Sequence, residues 1–389
     1  MSEPATESVV LFEERAAADG RRIGIATLNS PKTLNGLSLA MARLLDEKLV
    51  QWAADDGIAV VVLQGAGEKA FCAGGDLQSL YRSMVESRGP GPEAGGRGRV
   101  PLGNAYAAEF FEVEYRLDYR IHTYAKPLLC WGHGVVMGGG IGLMSGASHR
   151  VVSERSKLAF PEITVGLFPD VGGSWLLDRV PDRAGLFLAA TGALLGPGDA
   201  IHAGLADVHL PEASRDDVFA ALQAEGWDAD AKANHARLGA LLARFMAPVE
   251  VGPLQLHAQT VAAICAHERL EDIVEAIATL DAGDDAWLSA AQKTLAAGSP
   301  GSVRLGYELQ RRAADLSLAD VFRLEYIAAL HCAAHGDFAE GIRALLIDKD
   351  RNPKWEPATL AAATPAWANT FLEAPAWPGG THPLADLGS

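Results

Sequence analysis

Two carboxylates lie eight residues apart in an otherwise apolar stretch of this chain. Glu162 and Asp170 belong to residues 160–173, which read FPEITVGLFPDVGG. Acidic side chains are seldom buried without a partner, and burial among apolar groups raises the pKa of a carboxyl toward neutrality. Two such groups can divide the roles of base or nucleophile and of acid. The local sequence leaves one structural alternative open, in which Glu162 caps Thr164 or pairs with a nearby arginine.

Two glycine turns each follow a predicted buried strand. The first turn is Cys72–Asp76, which reads CAGGD, and the second is Met137–Gly140, which reads MGGG. In a strand–turn–helix unit the turn amides point outward at the positive end of the helix dipole. Two turns side by side can aim two amides at one carbonyl oxygen and form an oxyanion hole, although tight strand–helix packing explains the glycines equally well. Their spacing does not fit a dinucleotide-binding fingerprint.

Two other groups of reactive side chains are weaker candidates. His331 and His335 are one helical turn apart, as in some zinc sites, but the sequence offers neither the accompanying glutamate nor an evident third ligand. Cys72 lies beside the first glycine turn, but no histidine is adjacent to activate its thiol. We therefore predict no metal site and a structural role for Cys72.

Strands and helices alternate in the first half of the chain, and helices prevail beyond residue 174. Strands are predicted at residues 9–12, 22–28, 58–63, 127–131, 151–152 and 157–160. Helices are predicted at residues 38–52, 106–124, 138–145, 182–191, 238–246, 256–266 and 318–334. This order predicts an α/β core at residues 1–205 and a helical C-terminal region at residues 206–389. The Gly/Pro/Arg-rich residues 83–103 are predicted to form a mobile loop, and residues 365–389 to wrap the surface.

Composition and charge exclude several classes of binding partner. The chain has 389 residues and a formal charge of −16, and no basic stripe suited to nucleic acid is visible. No apolar stretch is long enough to cross a bilayer, so no membrane association is expected. The four cysteines are far apart, and the N-terminus has no export or organelle signal. These features predict a cytoplasmic protein with reduced thiols, and they leave the oligomeric state open, a homo-oligomer included.

Several motifs resemble the enoyl-CoA hydratase/isomerase (crotonase) superfamily. Residues 71–76, FCAGGD, and residues 134–140, GVVMGGG, are similar to its two glycine turns. Residues 160–173, together with residues 337–350 and PKW at 353–355, resemble more narrowly the 3-hydroxyisobutyryl-CoA hydrolases of valine breakdown. These motifs span nearly the whole chain.

The resemblance implies a crotonase-type spiral of ββα units and a catalytic site for an acyl-CoA thioester. It implies that Glu162 is the catalytic glutamate, that Asp170 is its partner carboxylate, and that Gly75 and Gly139 supply the oxyanion-hole amides. Substrate contacts are implied for Glu114, for the backbone around Ala73 and for Lys32, which would lie near the phosphates of CoA. No cofactor is implied, because CoA is part of the substrate.

One departure from the superfamily pattern bears on the reaction. Hydratases of this superfamily have a second glutamate two residues beyond the triple glycine, and this chain has Gly142 there. This departure disfavours hydratase chemistry, and the resemblance to the hydrolases implies hydrolysis of a short-chain 3-hydroxyacyl-CoA, foremost 3-hydroxyisobutyryl-CoA. Hydratase- or isomerase-type proton transfer is the alternative, and a non-catalytic acyl-CoA-binding protein is a lesser one. The insertion at residues 83–103 departs from the hydrolase pattern and leaves the acyl group undetermined.

Overall fold

The computed structural model describes residues 8–88 and 100–389. Its larger sheet has six strands in the order β1-β2-β3-β5-β7-β9. The antiparallel pair β1–β2 forms one edge, and the remaining neighbours are parallel. The strands are β1 Val10–Ala16, β2 Arg22–Leu28, β3 Ile58–Gly65, β5 Leu128–Gly132, β7 His149–Val152 and β9 Val208–His209. The β-branched run of β3 is buried on both faces, as expected for a central parallel strand.

The second sheet has three parallel strands, and each of the two glycine turns directly follows one of them. Its strands are β4 Ala70–Cys72, β6 Val135–Met137 and β8 Lys157–Ala159. Consecutive strands therefore alternate between the two sheets: β3 and β4, β5 and β6, then β7 and β8. The first two pairs each run into a helix. This alternation confirms the predicted spiral of ββα units, and it brings the ends of β4 and β6 next to each other.

The helices form the outer layers and most of the regular structure in the second half of the chain. Those of the first half are α1 Leu39–Ala54, α2 Leu77–Arg88, α3 Ala105–His122, α4 Gly139–Ser145, α5 Gly173–Asp178, α6 Ala184–Thr191 and α7 Pro197–His202. Those of the second half are α8 Arg215–Ala224, α9 Ala231–Ala243, α10 Pro253–Leu256, α11 Ala258–Cys265, α12 Leu270–Thr279, α13 Ala286–Ala297, α14 Pro300–Ala313, α15 Leu318–Ala334, α16 Gly336–Ile342 and α17 Pro365–Asn369. A short π-helix, Arg343–Ile347, follows α16.

The C-terminal helices cover α3. Tyr115 of α3 packs against the rings of Phe322 and Tyr326 of α15, with ring centroids 5.7 and 6.4 Å apart. The chain end joins the same apolar cluster through Phe371 and Leu384, both buried, so residues 365–389 pack into the structure as well as covering it. In this arrangement α15 packs against the segment that carries Asp170.

The prediction of a loop over residues 83–103 was wrong at its start. Helix α2 continues to Arg88, because Leu80 and Met84 are one turn apart on a buried face and the glycine- and proline-rich sequence begins only at Gly89. Residues 89–99, the centre of the predicted loop, lie outside the described residues. The division at residues 205/206 stays a prediction, and β9 lies just beyond it. No helix in the described ranges is long and apolar enough to span a membrane.

Candidate active site

The first glycine turn leaves one amide free at the end of β4. Gly74 has φ +106°, a conformation that favours glycine. Leu37 lies alongside the turn, where its N–H donates to the carbonyl of Gly74 at 2.8 Å and its carbonyl accepts from Asp76 at 2.9 Å. These bonds hold the turn at both sides of Gly75. The amide of Gly75 has no acceptor among the described residues, so it is available to a ligand.

The second glycine turn begins α4 and meets the first. Gly138 has φ +48°, and α4 begins at Gly139, whose amide has no acceptor in the described part of the chain. A Cβ placed on Gly139 would lie 3.4 Å from the amide nitrogen of Gly75. The two free amides therefore flank one small volume, which is the arrangement that an oxyanion hole requires.

Glu162 lies beside the second turn without a charged partner. It begins a short 3₁₀ turn after β8 and is 5% exposed. Its Oε1 would be 2.8 Å from a Cβ on Gly138, and its Oε2 has no hydrogen-bond partner among the described residues. No arginine in residues 8–88 or 100–389 pairs with it, and the hydroxyl of Thr164 donates to Pro161 instead. The alternative of a capping or ion-paired Glu162 is therefore wrong.

Asp170 is held by α3 on one side and by α15 on the other. The hydroxyl of Tyr115 donates to Asp170 Oδ2 at 2.8 Å. The next residue, Val171, has φ +55°, which is strained for a β-branched side chain. Glu325 of α15 fixes this bend by accepting from the amides of Gly172 and Ser174 at 2.7 and 2.9 Å. The C-terminal region thus determines where the Asp170 carboxyl points.

Two carboxyls of α3 pack against glycines of α4. Glu114 Oε1 would be 2.6 Å from a Cβ on Gly139, and Asp118 Oδ2 would be 2.8 Å from a Cβ on Gly142. Both acids are buried, and neither oxygen of Asp118 has a partner within the described residues. The space that a side chain at position 142 would need is therefore occupied by Asp118, together with Val171, whose Cβ would be 2.7 Å away.

The five buried carboxyls have strongly perturbed proton affinities. Burial, followed by the charge of Asp170, raises the pKa of Glu114, Asp118 and Glu162 well above the usual range. Burial also raises the pKa of Asp170 to about 7 and that of Glu325 to about 8. No cation of the described residues forms an ion pair with any of them. The pKa values of Asp170 and Glu325 place proton exchange in this cluster near neutral pH, as a site for acid–base chemistry requires.

One cavity of about 810 Å³ is lined by every residue that the sequence placed in the site. Those residues are Lys32, Ala73, Gly75, Glu114, Gly139, Glu162 and Asp170. Lys32 is the exposed member of this set. The amide of Ala73 donates to the carbonyl of Leu34 at 3.0 Å, so Ala73 can offer a ligand only its carbonyl.

The weaker candidates play no part in this cavity. Cys72 is buried, and burial raises the pKa of its thiol to about 12, which disfavours a thiolate nucleophile. His331 and His335 stack with ring centroids 5.9 Å apart, and the ring of His331 bonds to the carbonyl of Glu373. Residues 8–88 and 100–389 contain no group of three side chains suited to a metal ion.

Three residues of the site were not found from the sequence. Tyr115 and Asp118 share α3 with Glu114, and Asp118 is one turn further along the same helix. Glu325 is an acid on the buried face of the otherwise apolar α15. In each case a polar residue occupies a position on the apolar face of a predicted helix, and that pattern could have indicated a buried polar group.

The acid cluster makes stability depend on pH in a predictable direction. A carboxyl whose folded-state pKa is raised stabilises the fold fully below its unfolded pKa of about 4, and that contribution is lost as pH rises through the folded-state pKa. Asp118→Asn should therefore gain unfolding free energy relative to wild type as pH increases, by at most about 1.4 kcal/mol per pH unit. Urea unfolding between pH 4.5 and 8.5 measures this difference.

Asp320 provides the matched control. It is an exposed carboxyl whose pKa is lowered, first by a hydrogen bond from Ser317, so its stabilisation is fully present above about pH 4 and Asp320→Asn should differ from wild type by a constant amount between pH 4.5 and 8.5. A stability difference for Asp118→Asn that stays constant across this range would show that Asp118 is ionised in the folded protein.

Comparisons with known proteins identify the family. The family model for enoyl-CoA hydratase/isomerase matches residues 23–372. The mitochondrial 3-hydroxyisobutyryl-CoA hydrolase of Danio rerio is 36% identical over 362 residues, covering 92% of this chain and 87% of the relative. The enzyme of that name from Homo sapiens is 31% identical over 360 residues, covering 91% and 86%.

Two solved structures share the fold over almost their whole length. A carnitinyl-CoA dehydratase from Mycobacterium thermoresistibile superposes with a TM-score of 0.80 at 34% identity and covers 97% of this chain and 99% of its own. An enoyl-CoA hydratase from Rhodobacter sphaeroides 2.4.1 gives 0.79 at 34% identity, with 95% and 98% covered. Paired glycine turns, a buried glutamate beside them and a match over most of the chain place this protein in the enoyl-CoA hydratase/isomerase family.

Proposed function

We propose that the protein hydrolyses short-chain 3-hydroxyacyl-CoA thioesters, foremost 3-hydroxyisobutyryl-CoA, to the free acid and CoA. The observation that carries this proposal is the position of Glu162 beside the amides of Gly75 and Gly139: within the described residues the buried carboxyl has no ion pair and the two amides have no acceptor. The curated relatives named as 3-hydroxyisobutyryl-CoA hydrolases support the same substrate. Such an activity belongs to valine breakdown.

In the proposed reaction the thioester carbonyl oxygen lies between the two free amides. Negative charge builds on that oxygen as the carbonyl carbon becomes tetrahedral, and each amide donor lowers the barrier by about 3 kcal/mol. Glu162 either removes a proton from the attacking water or attacks the carbonyl itself to give a mixed anhydride that water then opens. The carbon–sulfur bond breaks in both routes, and the CoA thiolate takes up a proton. A base in this position contributes about 10²–10⁴-fold.

Asp170, held in place by Tyr115, is suited to recognising the 3-hydroxyl group. The Tyr115 hydroxyl occupies Oδ2 of Asp170, which leaves Oδ1 for a ligand in the cavity. Both residues are buried, so a substrate that lacks the hydroxyl would leave a polar group unpaired there. Sites of this kind discriminate strongly against the analogue without the hydrogen-bonding group.

Water addition to an enoyl-CoA is the second candidate, since the two similar solved structures carry the names of a dehydratase and a hydratase. Asp118 and Val171 speak against it, because they fill the space beside Gly142 where a second glutamate would have to stand. Asp118 itself does not line the cavity, so it cannot replace that glutamate.

The test is release of free thiol from a panel of CoA esters. We expect turnover with 3-hydroxyisobutyryl-CoA and 3-hydroxypropionyl-CoA, and slower turnover with isobutyryl-CoA, which has the same branching but no hydroxyl. Loss of the enoyl absorbance of methacrylyl-CoA without thiol release would instead establish the hydratase alternative. A single turnover in ¹⁸O-labelled water separates the two routes, because label enters Glu162 only through the anhydride.

The cellular compartment stays a prediction. The cytoplasmic assignment is untested, and the similar animal enzymes are named as mitochondrial. Fractionation of the source cells, with thiol release as the assay, decides between them.

A further inference from the structure

Arg343, which follows α16, forms ion pairs with three nearby carboxylates. Its guanidinium binds Glu340 at 2.8 Å, Asp348 at 2.6 Å and Asp350 at 2.7 Å. Both aspartates of the sequence Asp348-Lys349-Asp350-Arg351 are therefore turned inward to one cation. The alternating residues Lys349 and Arg351 are left with their charges unneutralised.

Lys349 and Arg351 are exposed and held in an unusual backbone conformation. Their φ angles are +58° and +53°, which non-glycine residues adopt at a cost of about 1–3 kcal/mol each. The segment is pinned at both ends, since Asp348 donates to the carbonyl of Arg343 at 2.8 Å and Arg351 to that of Ala344 at 3.0 Å. Neither side chain has a carboxylate partner within the described ranges. Strain of this kind is concentrated at ligand-binding segments.

The two cations lie next to the wall of the catalytic cavity. The bond from Arg351 to Ala344 folds the segment back beside Leu345, which lines the cavity together with Leu346. The π-helix that contains these leucines packs against α2, and Arg82 of α2 lines the cavity too. Lys32 and Arg82 therefore line the cavity, and Lys349 and Arg351 lie on the segment that follows its leucine wall, in a chain whose formal charge is −16.

We propose that Lys349 and Arg351 bind phosphate groups of the CoA moiety, and we call these two residues the phosphate clamp. This inference rests on the proposed function, because it takes a CoA ester as the ligand. The acids that act on the acyl group lie in the interior of the cavity, and the exposed leucine Leu345 borders its solvent side next to the clamp. In CoA the pantetheine arm lies between the thioester and the phosphates. The apolar wall at Leu345, followed by the two cations, presents matching groups in the same order. Charge-assisted hydrogen bonds to phosphate are among the stronger polar contacts in proteins.

The experiment compares a whole and a truncated substrate in the double variant Lys349→Ala/Arg351→Ala. With the CoA ester we expect KM to rise by roughly ten- to a hundredfold, the range of one or two charge-assisted bonds, and kcat to change little. With the N-acetylcysteamine thioester of the same acid, which has no phosphate, we expect wild-type KM. The KM increase should also shrink in high salt, because ions screen exposed charges.

Lys232→Ala is the matched control, since Lys232 is exposed on α9, which packs against β3 and contributes no residue to the cavity. It removes one positive charge and should leave both KM values unchanged. A CoA-ester KM within twofold of wild type, or equal increases with both substrates, would overturn the phosphate clamp. If the wild type hydrolyses neither ester, the proposed function fails instead, and calorimetry with free CoA then tests the clamp alone: weaker binding by the double variant supports it and unchanged binding rejects it.

Discussion

Replacing Glu162 with glutamine is expected to lower kcat by about 10²–10⁴-fold, or more if the carboxylate is the nucleophile. The amide side chain has nearly the same shape, but it can neither accept a proton from water nor attack a carbonyl. Affinity for the CoA ester should change little, because most of the ligand contacts the cavity away from position 162. Thiol release measures the first quantity, and calorimetry with CoA measures the second.

Glu308→Gln is a suitable control for this substitution. Glu308 is a buried glutamate of α14 that faces Arg304 at 3.7 Å and does not line the cavity. Its replacement tests whether loss of any buried carboxylate impairs turnover through the fold. Near-wild-type hydrolysis by Glu162→Gln would remove Glu162 from the mechanism, whatever the control shows.

Local signals in the sequence were sufficient for much of the fold. The β-branched run at residues 58–63 became the central strand β3, and Ser38 caps α1 by accepting from the amide of Met41 at 3.2 Å. Helix α15 occupies residues 318–334 as predicted. Each of these elements is specified by its own residues through side-chain period or capping. Helix α2 was not among the predicted helices, because the glycine-rich sequence beyond its end obscured the buried pair Leu80 and Met84.

The site shows where local signals stop. The glycine turns and Glu162 carry recognisable sequence patterns, whereas the bonds from Gly172 and Ser174 to Glu325 join residues more than 150 positions apart. The residues near Val171 give no sequence signal for a positive φ. The strain depends on contacts with α15, which lies about 150 residues further along the chain. The contact of Asp118 with Gly142 likewise depends on the packing of α3 against α4, which the local sequence does not show. Long-range packing therefore supplies the partners, and the local sequence supplies the reactive groups.

Gly139→Ala is expected to produce the second-largest loss of activity, about 10²–10³-fold in kcat, similar to loss of an oxyanion-hole donor. The added methyl would lie 2.6 Å from Glu114 Oε1 and 3.4 Å from the Gly75 amide nitrogen, inside the volume assigned to the thioester oxygen. Either the Glu114 carboxyl moves or the turn shifts, and both changes misalign the amides. Since the backbone φ at Gly139 is not in the left-handed region, the fold should tolerate alanine there.

Gly75→Ala is the matched comparison in the other turn. Its methyl would meet only the ring of Phe110, at 3.2 and 3.6 Å, and that ring edge can give way. We therefore expect a smaller loss of kcat than for Gly139→Ala, with both variants melting close to wild type. Because the Gly139 methyl occupies the place of the carbonyl oxygen, equal kcat values for Gly139→Ala and wild type would mean that the thioester binds elsewhere in the cavity. A large fall in melting temperature for Gly139→Ala would instead assign its glycine to packing between α3 and α4.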